Sequence, residues 1–250
     1  MDGWRGGPLL LIHGVGLRAE AWAPMLPHLT AQFRVTALDL PGHGHSAALP
    51  DKATLADFTD SIAEVLNAPT YVVGHSMGAL IAMDMAARHP EHVAAIAPLN
   101  AIFRRSVTAR AAVQQRAADI AGGSQPDPSA TLDRWFGPQP TGPLQSARDN
   151  CADWLTSVDP RGYATAYRVF AEEDGPADTD LARITCPALF VTGADEPNST
   201  PAMSQALAAH VPNGQATILT EARHMMPMTH AQDVAALLCA FFQRHSHATA

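Results

Sequence analysis

Tyr71-Val72-Val73-Gly74-His75-Ser76-Met77-Gly78-Ala79-Leu80-Ile81-Ala82-Met83 is the stretch that decides the fold. The apolar run 71–73 reads as a strand and the run from Ala79 as a helix, so a serine sits on a strand-to-helix turn between two glycines. A turn this sharp puts Ser76 in strained backbone geometry, and a side chain at position 74 or 78 would collide with it. The N-terminus of the following helix points free N–H groups at the same spot, where negative charge is favoured. Ser76 is therefore a candidate nucleophile.

Outward from this turn, short apolar runs alternate with alanine-rich amphipathic stretches. Strands are predicted at 8–13, 33–39, 70–74, 93–99, 187–192 and 215–220, and helices near 19–31, 54–67, 77–89, 200–211 and 229–244. Strand and helix in alternation predict an α/β fold, a mostly parallel sheet flanked by helices on both faces. The rhythm stops between 101 and 183. Apolar periodicity near 107–120, 132–136, 144–158 and 163–170 predicts a helical insertion there, since so long a connection needs structure of its own. Residues 1–100 and 184–250 are thus expected to form one core, and 101–183 a lid over the sheet's C-terminal edge, where ligands bind in open α/β folds.

A length of 250 residues accommodates one core with an insertion, and 47% hydrophobic against 16% charged residues argues against disorder. A net charge of -8 argues against a nucleic-acid partner. Cys151, Cys186 and Cys239 are odd in number and far apart, which suggests neither a disulfide framework nor a zinc site. Met1 to Pro8 offers no apolar h-region, and no run reaches membrane-spanning length. A soluble cytoplasmic protein, monomer or homodimer, acting on a small molecule is expected, with no metal or organic cofactor.

Three further segments bear on Ser76. His13-Gly14-Val15-Gly16 ends the first strand in a turn able to aim a backbone N–H at the serine, so Val15 N–H and Met77 N–H make a candidate oxyanion hole, with Gly16 the second choice of donor. His13 reads as structural. The strand Phe190-Val191-Thr192-Gly193 ends in Ala194-Asp195-Glu196-Pro197, whose carboxylates are candidates to orient a histidine. His224 follows the last strand. The order serine, acid, histidine is one a triad can take.

These segments, with Asp39-x-Pro41-Gly42-x-Gly44-x-Ser46, resemble the α/β-hydrolase superfamily over nearly the whole chain outside the lid. The resemblance implies that His224 takes the Ser76 proton, that the serine attacks a carbonyl, and that water then cleaves the acyl-enzyme. Two departures stand out. Family members usually carry Gly-x-x-Asp at the acid turn, whereas counting from Gly193 here reaches Glu196, with Asp195 one residue early; spacing favours Glu196. The family sheet also commonly opens with a hairpin, which is short or missing here. A serine at the elbow points to acyl chemistry rather than to the alkyl-enzyme reactions that need a carboxylate there.

Arg134-Trp135-Phe136, Asn198 to Met203 and His224-Met225-Met226-Pro227 resemble a subgroup that includes 3-oxoadipate enol-lactonase-like enzymes and acylaminomethylene-succinate hydrolases. That implies a small carboxylate-bearing ester, lactone or amide as substrate. Arg104 and Arg105, just past the fourth strand, are then candidates to hold its carboxylate, and His75, Trp135 and Met225 to line its pocket. Three alternatives stay open. Gly14-x-Gly16-x-x-Ala19 with Asp39 fits a loose dinucleotide fingerprint, though without the third glycine. A ligand-sensing protein of the same fold, or a carbon–carbon bond hydrolase, would carry the same motifs.

Overall fold

Residues 6–124 and 127–246 are described by a computed structural model of the chain. Its first part runs β1 (Pro8–Ile12), a 3-10 turn (Ala19–Trp22), α1 (Leu26–Leu29), β2 (Arg34–Leu38), α2 (Leu55–Ala63), β3 (Thr70–His75), α3 (Met77–Arg88), a second 3-10 turn (Pro90–His92) and β4 (Val93–Leu99). Next come α4 (Val107–Ala121), α5 (Ser129–Phe136), α6 (Pro143–Ser157), α7 (Pro160–Glu172) and the short α8 (Asp178–Leu181). The chain closes with β5 (Ala188–Gly193), α9 (Pro201–His210), β6 (Gly214–Leu219), α10 (Met226–Thr229) and α11 (Ala231–Arg244). The helix expected over 19–31 is instead two short turns. Pro24 and Pro27 have no N–H to donate, so an unbroken i to i−4 ladder cannot form.

The six strands pair in the order β2-β1-β3-β4-β5-β6, every pair parallel. Among the described residues no strand precedes Pro8. Because the chain leaves β1 for β2 on one side and returns to β3 on the other, a crevice opens at the C-terminal ends of β1 and β3. Register makes this concrete: Ile12 lies opposite Gly74 and His75 opposite Leu99. The turn after β1 and the turn after β3 are therefore neighbours.

Period-2 alternation divides the strands between two faces. Leu10, Ile12, Val72, Ile96 and Phe190 face the side covered by α2, α3 and α9, whereas Leu9, Leu11, Val73, Leu189 and Val191 face α11 with its Phe241 and Phe242. Burying both faces is what permits nearly continuous apolar strands, each such leucine contributing roughly 2 kcal/mol. At α2 a capping box fixes the start: Thr54 accepts from Asp57 N–H while Asp57 accepts from Thr54 N–H.

The segment between β4 and β5 is held differently. Along α4 only Ile120 is buried, and a small cluster of Leu17, Leu132, Phe136, Cys151 and Met225 packs beneath α5 and α6. Where α7 crosses the turn after β2, two backbones touch without side chains: a Cβ on Gly42 would stand 2.5 Å from Gly162 Cα. Gly42 also has φ +78°.

Candidate active site

Ser76 closes β3 and caps α3 at φ 57° and ψ −114°, a left-handed conformation that costs a non-glycine residue roughly 1–3 kcal/mol. Its N–H donates to the Leu99 carbonyl at 2.9 Å. The flanking glycines are dictated by contact, since a Cβ at position 74 would lie 1.9 Å from the Gly78 carbonyl oxygen, and one at 78 would lie 2.2 Å from that of Ile12. The elbow is thus wedged against both β1 and its own helix.

Beyond β5, Glu196 is buried and its Oε2 accepts from His224 Nδ1 at 2.9 Å. Its other oxygen accepts from Asn198 N–H at 2.8 Å and Ser199 N–H at 3.2 Å. Burial pushes this carboxyl up, but the His224 ring and the two amides outweigh burial and hold it below its ordinary value. Asp195, the other candidate acid, is exposed, and its backbone N–H donates to the Ala222 carbonyl at 3.0 Å. The carboxylate that reaches the imidazole is Glu196.

The His224 carbonyl is gripped as firmly as its ring. His75 Nε2 donates to it at 2.8 Å and Asn100 Nδ2 at 2.7 Å. At the turn after β1, His43 Nε2 accepts the Gly16 N–H at 2.9 Å and His13 Nε2 accepts that of Leu40, also at 2.9 Å. Both rings serve as neutral acceptors, and burial drives His43 down to about 4 and His13 down to about 3. Gly16 is thereby occupied. Among the described residues nothing accepts from Val15 N–H or Met77 N–H. Asp39 accepts from Ala19 N–H at 2.9 Å and His45 N–H at 3.0 Å, so the carboxylate a dinucleotide site would aim at a ribose ties the turn instead.

Ser76 and His224 open on a cavity of about 640 Å³ together with Val15, Trp135, Ser199 and Met203. The Trp135 ring stacks on the His224 imidazole at 5.3 Å and 21°. Among the described residues the buried Ser199 hydroxyl finds no partner. Among the described residues no helix is long and apolar enough to cross a membrane, and no group of three or more His, Cys, Asp or Glu could hold a metal ion.

The sequence profile of the Alpha/beta hydrolase family matches residues 9–237. The chain belongs to that family. It is 40% identical, over 92% of its length and 88% of the relative's, to an (E)-2-((N-methylformamido)methylene)succinate hydrolase of Acinetobacter baylyi. It is 32% identical to a pimeloyl-[acyl-carrier protein] methyl ester esterase of Chromobacterium violaceum, over 92% of this chain and 91% of the relative. Among solved structures, a malate-bound thermophilic esterase from Thermogutta terrifontis superposes with a TM-score of 0.85 at 23% identity, covering 98% of this chain and 93% of that one. An enol-lactonase from Burkholderia xenovorans gives a TM-score of 0.79 at 23% identity, covering 97% and 94%. These last two likenesses speak for the fold alone.

Three residues expected to line this α/β hydrolase's pocket do not. His75 is fully buried with its ring turned to the His224 carbonyl, because that carbonyl needs donors and the cavity offers His75 none of its wall. Met225 is packed with Leu17, Leu132 and Phe136 instead. Arg104, at φ 52°, lies exposed over the Phe103 ring and pairs with Asp178, so its turn carries it away from the cavity. Arg105 does reach the cavity, yet it donates to the Glu173 and Phe170 carbonyls and has Asp174 at 3.6 Å. Sequence reasoning missed Arg116, Thr131, Tyr163 and Tyr167, all in the wall. A signal existed for Arg116: it stands three residues after Val113 and four before Ile120, on the same helix face as those sparse apolar residues.

Proposed function

We propose that this α/β hydrolase cleaves a small, carboxylate-bearing ester, lactone or amide by serine chemistry, with Ser76 as nucleophile, His224 as base and Glu196 as its orienting acid. The observation that carries the reading is the Glu196–His224 bond at 2.9 Å beside a strained Ser76 that opens on the same cavity. With Nδ1 donating to Glu196, Nε2 is the basic nitrogen left for the serine proton. Ser76 Oγ bonds to the carbonyl carbon, and the oxygen that becomes negative is met by Val15 N–H and Met77 N–H. Collapse breaks the bond to the leaving group, which takes the proton from His224. A water then repeats the sequence on the acyl-enzyme and restores Ser76.

The segment 101–183 serves as a lid in this reading, since α4 to α7 supply much of the cavity wall, including the Trp135 ring over His224. A cavity of this size suits a small molecule. The substrate named for the Acinetobacter relative is a succinate, a dicarboxylate, which supports the carboxylate.

The test is labelling with a fluorophosphonate followed by peptide mass spectrometry, alongside turnover of 4-nitrophenyl esters by wild type and Ser76→Ala. An adduct on Ser76 and a loss of roughly 10⁴-fold or more in kcat in the variant are expected. Turnover that survives in Ser76→Ala overturns the serine assignment, and ligand-induced thermal stabilisation with no turnover in wild type favours a sensor.

A further inference from the structure

The cations of the cavity are not alike. Arg105 is already satisfied by two carbonyls and Asp174. Arg116, from α4, and Arg134, from α5, instead converge on one neutral oxygen: Thr131 Oγ1 accepts from Arg116 Nη1 at 3.1 Å and from Arg134 Nη2 at 3.0 Å. Among the described residues no carboxylate pairs with either guanidinium, and Arg116 Nε is buried without a partner. All three side chains line the cavity that Ser76 opens on.

Two positive groups drawn to one hydroxyl repel each other, more strongly in a cavity than in water; Tyr163, which also bonds Arg116, is neutral, and among the described residues no counter-ion on this wall relieves them. A carboxylate would do so: one oxygen can accept from Arg116 and the other from Arg134, and charge-assisted bonds of this kind are the strong ones. Tyr167, whose ring lies 5.5 Å from the Arg116 guanidinium carbon, supports the cation's flat face.

We infer that Arg116 and Arg134, bridged by Thr131, form the subsite for a carboxylate on the non-reacting end of the substrate. This rests on the serine reading above and assigns the role first given to Arg104 and Arg105 to a different pair.

The experiment compares mono-4-nitrophenyl succinate with 4-nitrophenyl butyrate, esters of the same leaving group that differ in a terminal carboxylate. Wild type should prefer the anionic ester. In Arg116→Gln and in Arg134→Gln the ratio of kcat/KM for anionic over neutral ester should fall about 10- to 100-fold, mostly through KM, the worth of a charge-assisted hydrogen bond. Arg116→Lys, which restores charge without the fork, should recover part of the ratio. A ratio within twofold of wild type in both Gln variants overturns the subsite. Should the variants not fold, inhibition of wild-type turnover of the neutral ester decides. Succinate should inhibit, less so at high salt, and neutral 1,4-butanediol should not; equal inhibition by the two overturns the subsite. Turnover persisting in Ser76→Ala is a different outcome, which fells the serine reading and leaves the subsite to be judged by succinate inhibition alone.

Discussion

The C-terminal edge of the sheet and the helices between β4 and β5 meet around one cavity but are built on opposite plans. At the sheet edge the side chains of Ser76, His224 and Glu196 are positioned by backbone: the Ser76 N–H donates to the Leu99 carbonyl, and the His224 carbonyl is held by His75 and Asn100. Across the cavity the wall is made of side chains on helices, among which α4 buries only Ile120. The two also differ in charge chemistry. All twelve histidines lie outside 101–183, while nine of the sixteen basic Lys and Arg residues lie within it. The first region is tied by buried hydrogen bonds, and the second carries most of the molecule's positive side chains.

The largest effect that sharpens this contrast is expected at the acid. Glu196→Gln keeps size but removes the charge that orients His224, and should lower kcat by roughly 10³- to 10⁴-fold. Asp195→Asn, one residue away and exposed, should stay within about twofold. Steady-state kinetics on an aryl ester checks both, and an equal loss in the two variants would break the assignment.

Next in size is a pair of substitutions that probes rigidity. Gly78→Ala drives a methyl group into the Ile12 carbonyl and should destabilise by about 3 kcal/mol or more. Val107→Ala, at the start of α4 and 87% exposed, should change stability by less than about 0.5 kcal/mol. Urea unfolding measures both. Equal sensitivity at the two positions would erase the distinction between the regions.

A further effect is a slope of stability with pH. His13 and His43 have folded values near 3 and 4, below the ordinary 6.5. Above 6.5 both are neutral whether the chain is folded or not, and stability does not depend on them. As pH falls below 6.5 the unfolded chain binds protons that the folded chain refuses, so stability is lost progressively down to about pH 4. His75, also buried and lowered, adds in the same direction. Loss of stability should therefore begin at the sheet edge, and hydrogen exchange at mildly acid pH should show β1 and β3 loosening. A stability flat from pH 7 to 5 would contradict the neutral-acceptor roles.

The same division explains what the sequence could say. Gly74, Ser76 and Gly78 were legible because a strained strand-to-helix turn admits few residue types, whereas the turn after β5 offered two neighbouring carboxylates, of which spacing favoured Glu196 and the fold brings Glu196 to the His224 ring. The central strands were legible for a related reason, as burial on both faces leaves mostly apolar residues, whereas the edge strands β2 and β6 are partly exposed and carry Arg34, Thr36, Gln215 and Thr217. Arg104 and Arg116 were not separable by such rules. Both are arginines near the same cavity, and only a positive φ at 104 and the path of α4 decide which one faces it. His75 was misread because sequence adjacency to the nucleophile says nothing of which side of the strand its ring takes.

The bare contact between Gly42 and Gly162 has a consequence for anyone rebuilding this molecule. It is the one place described above where the helices rest on the sheet side backbone against backbone, with no side chain as a cushion. Any foreign segment spliced in between residues 99 and 188 must offer an equally naked stretch of chain as it passes over position 42. Failing that, the graft has to carry a redesigned 41–46 turn along with it.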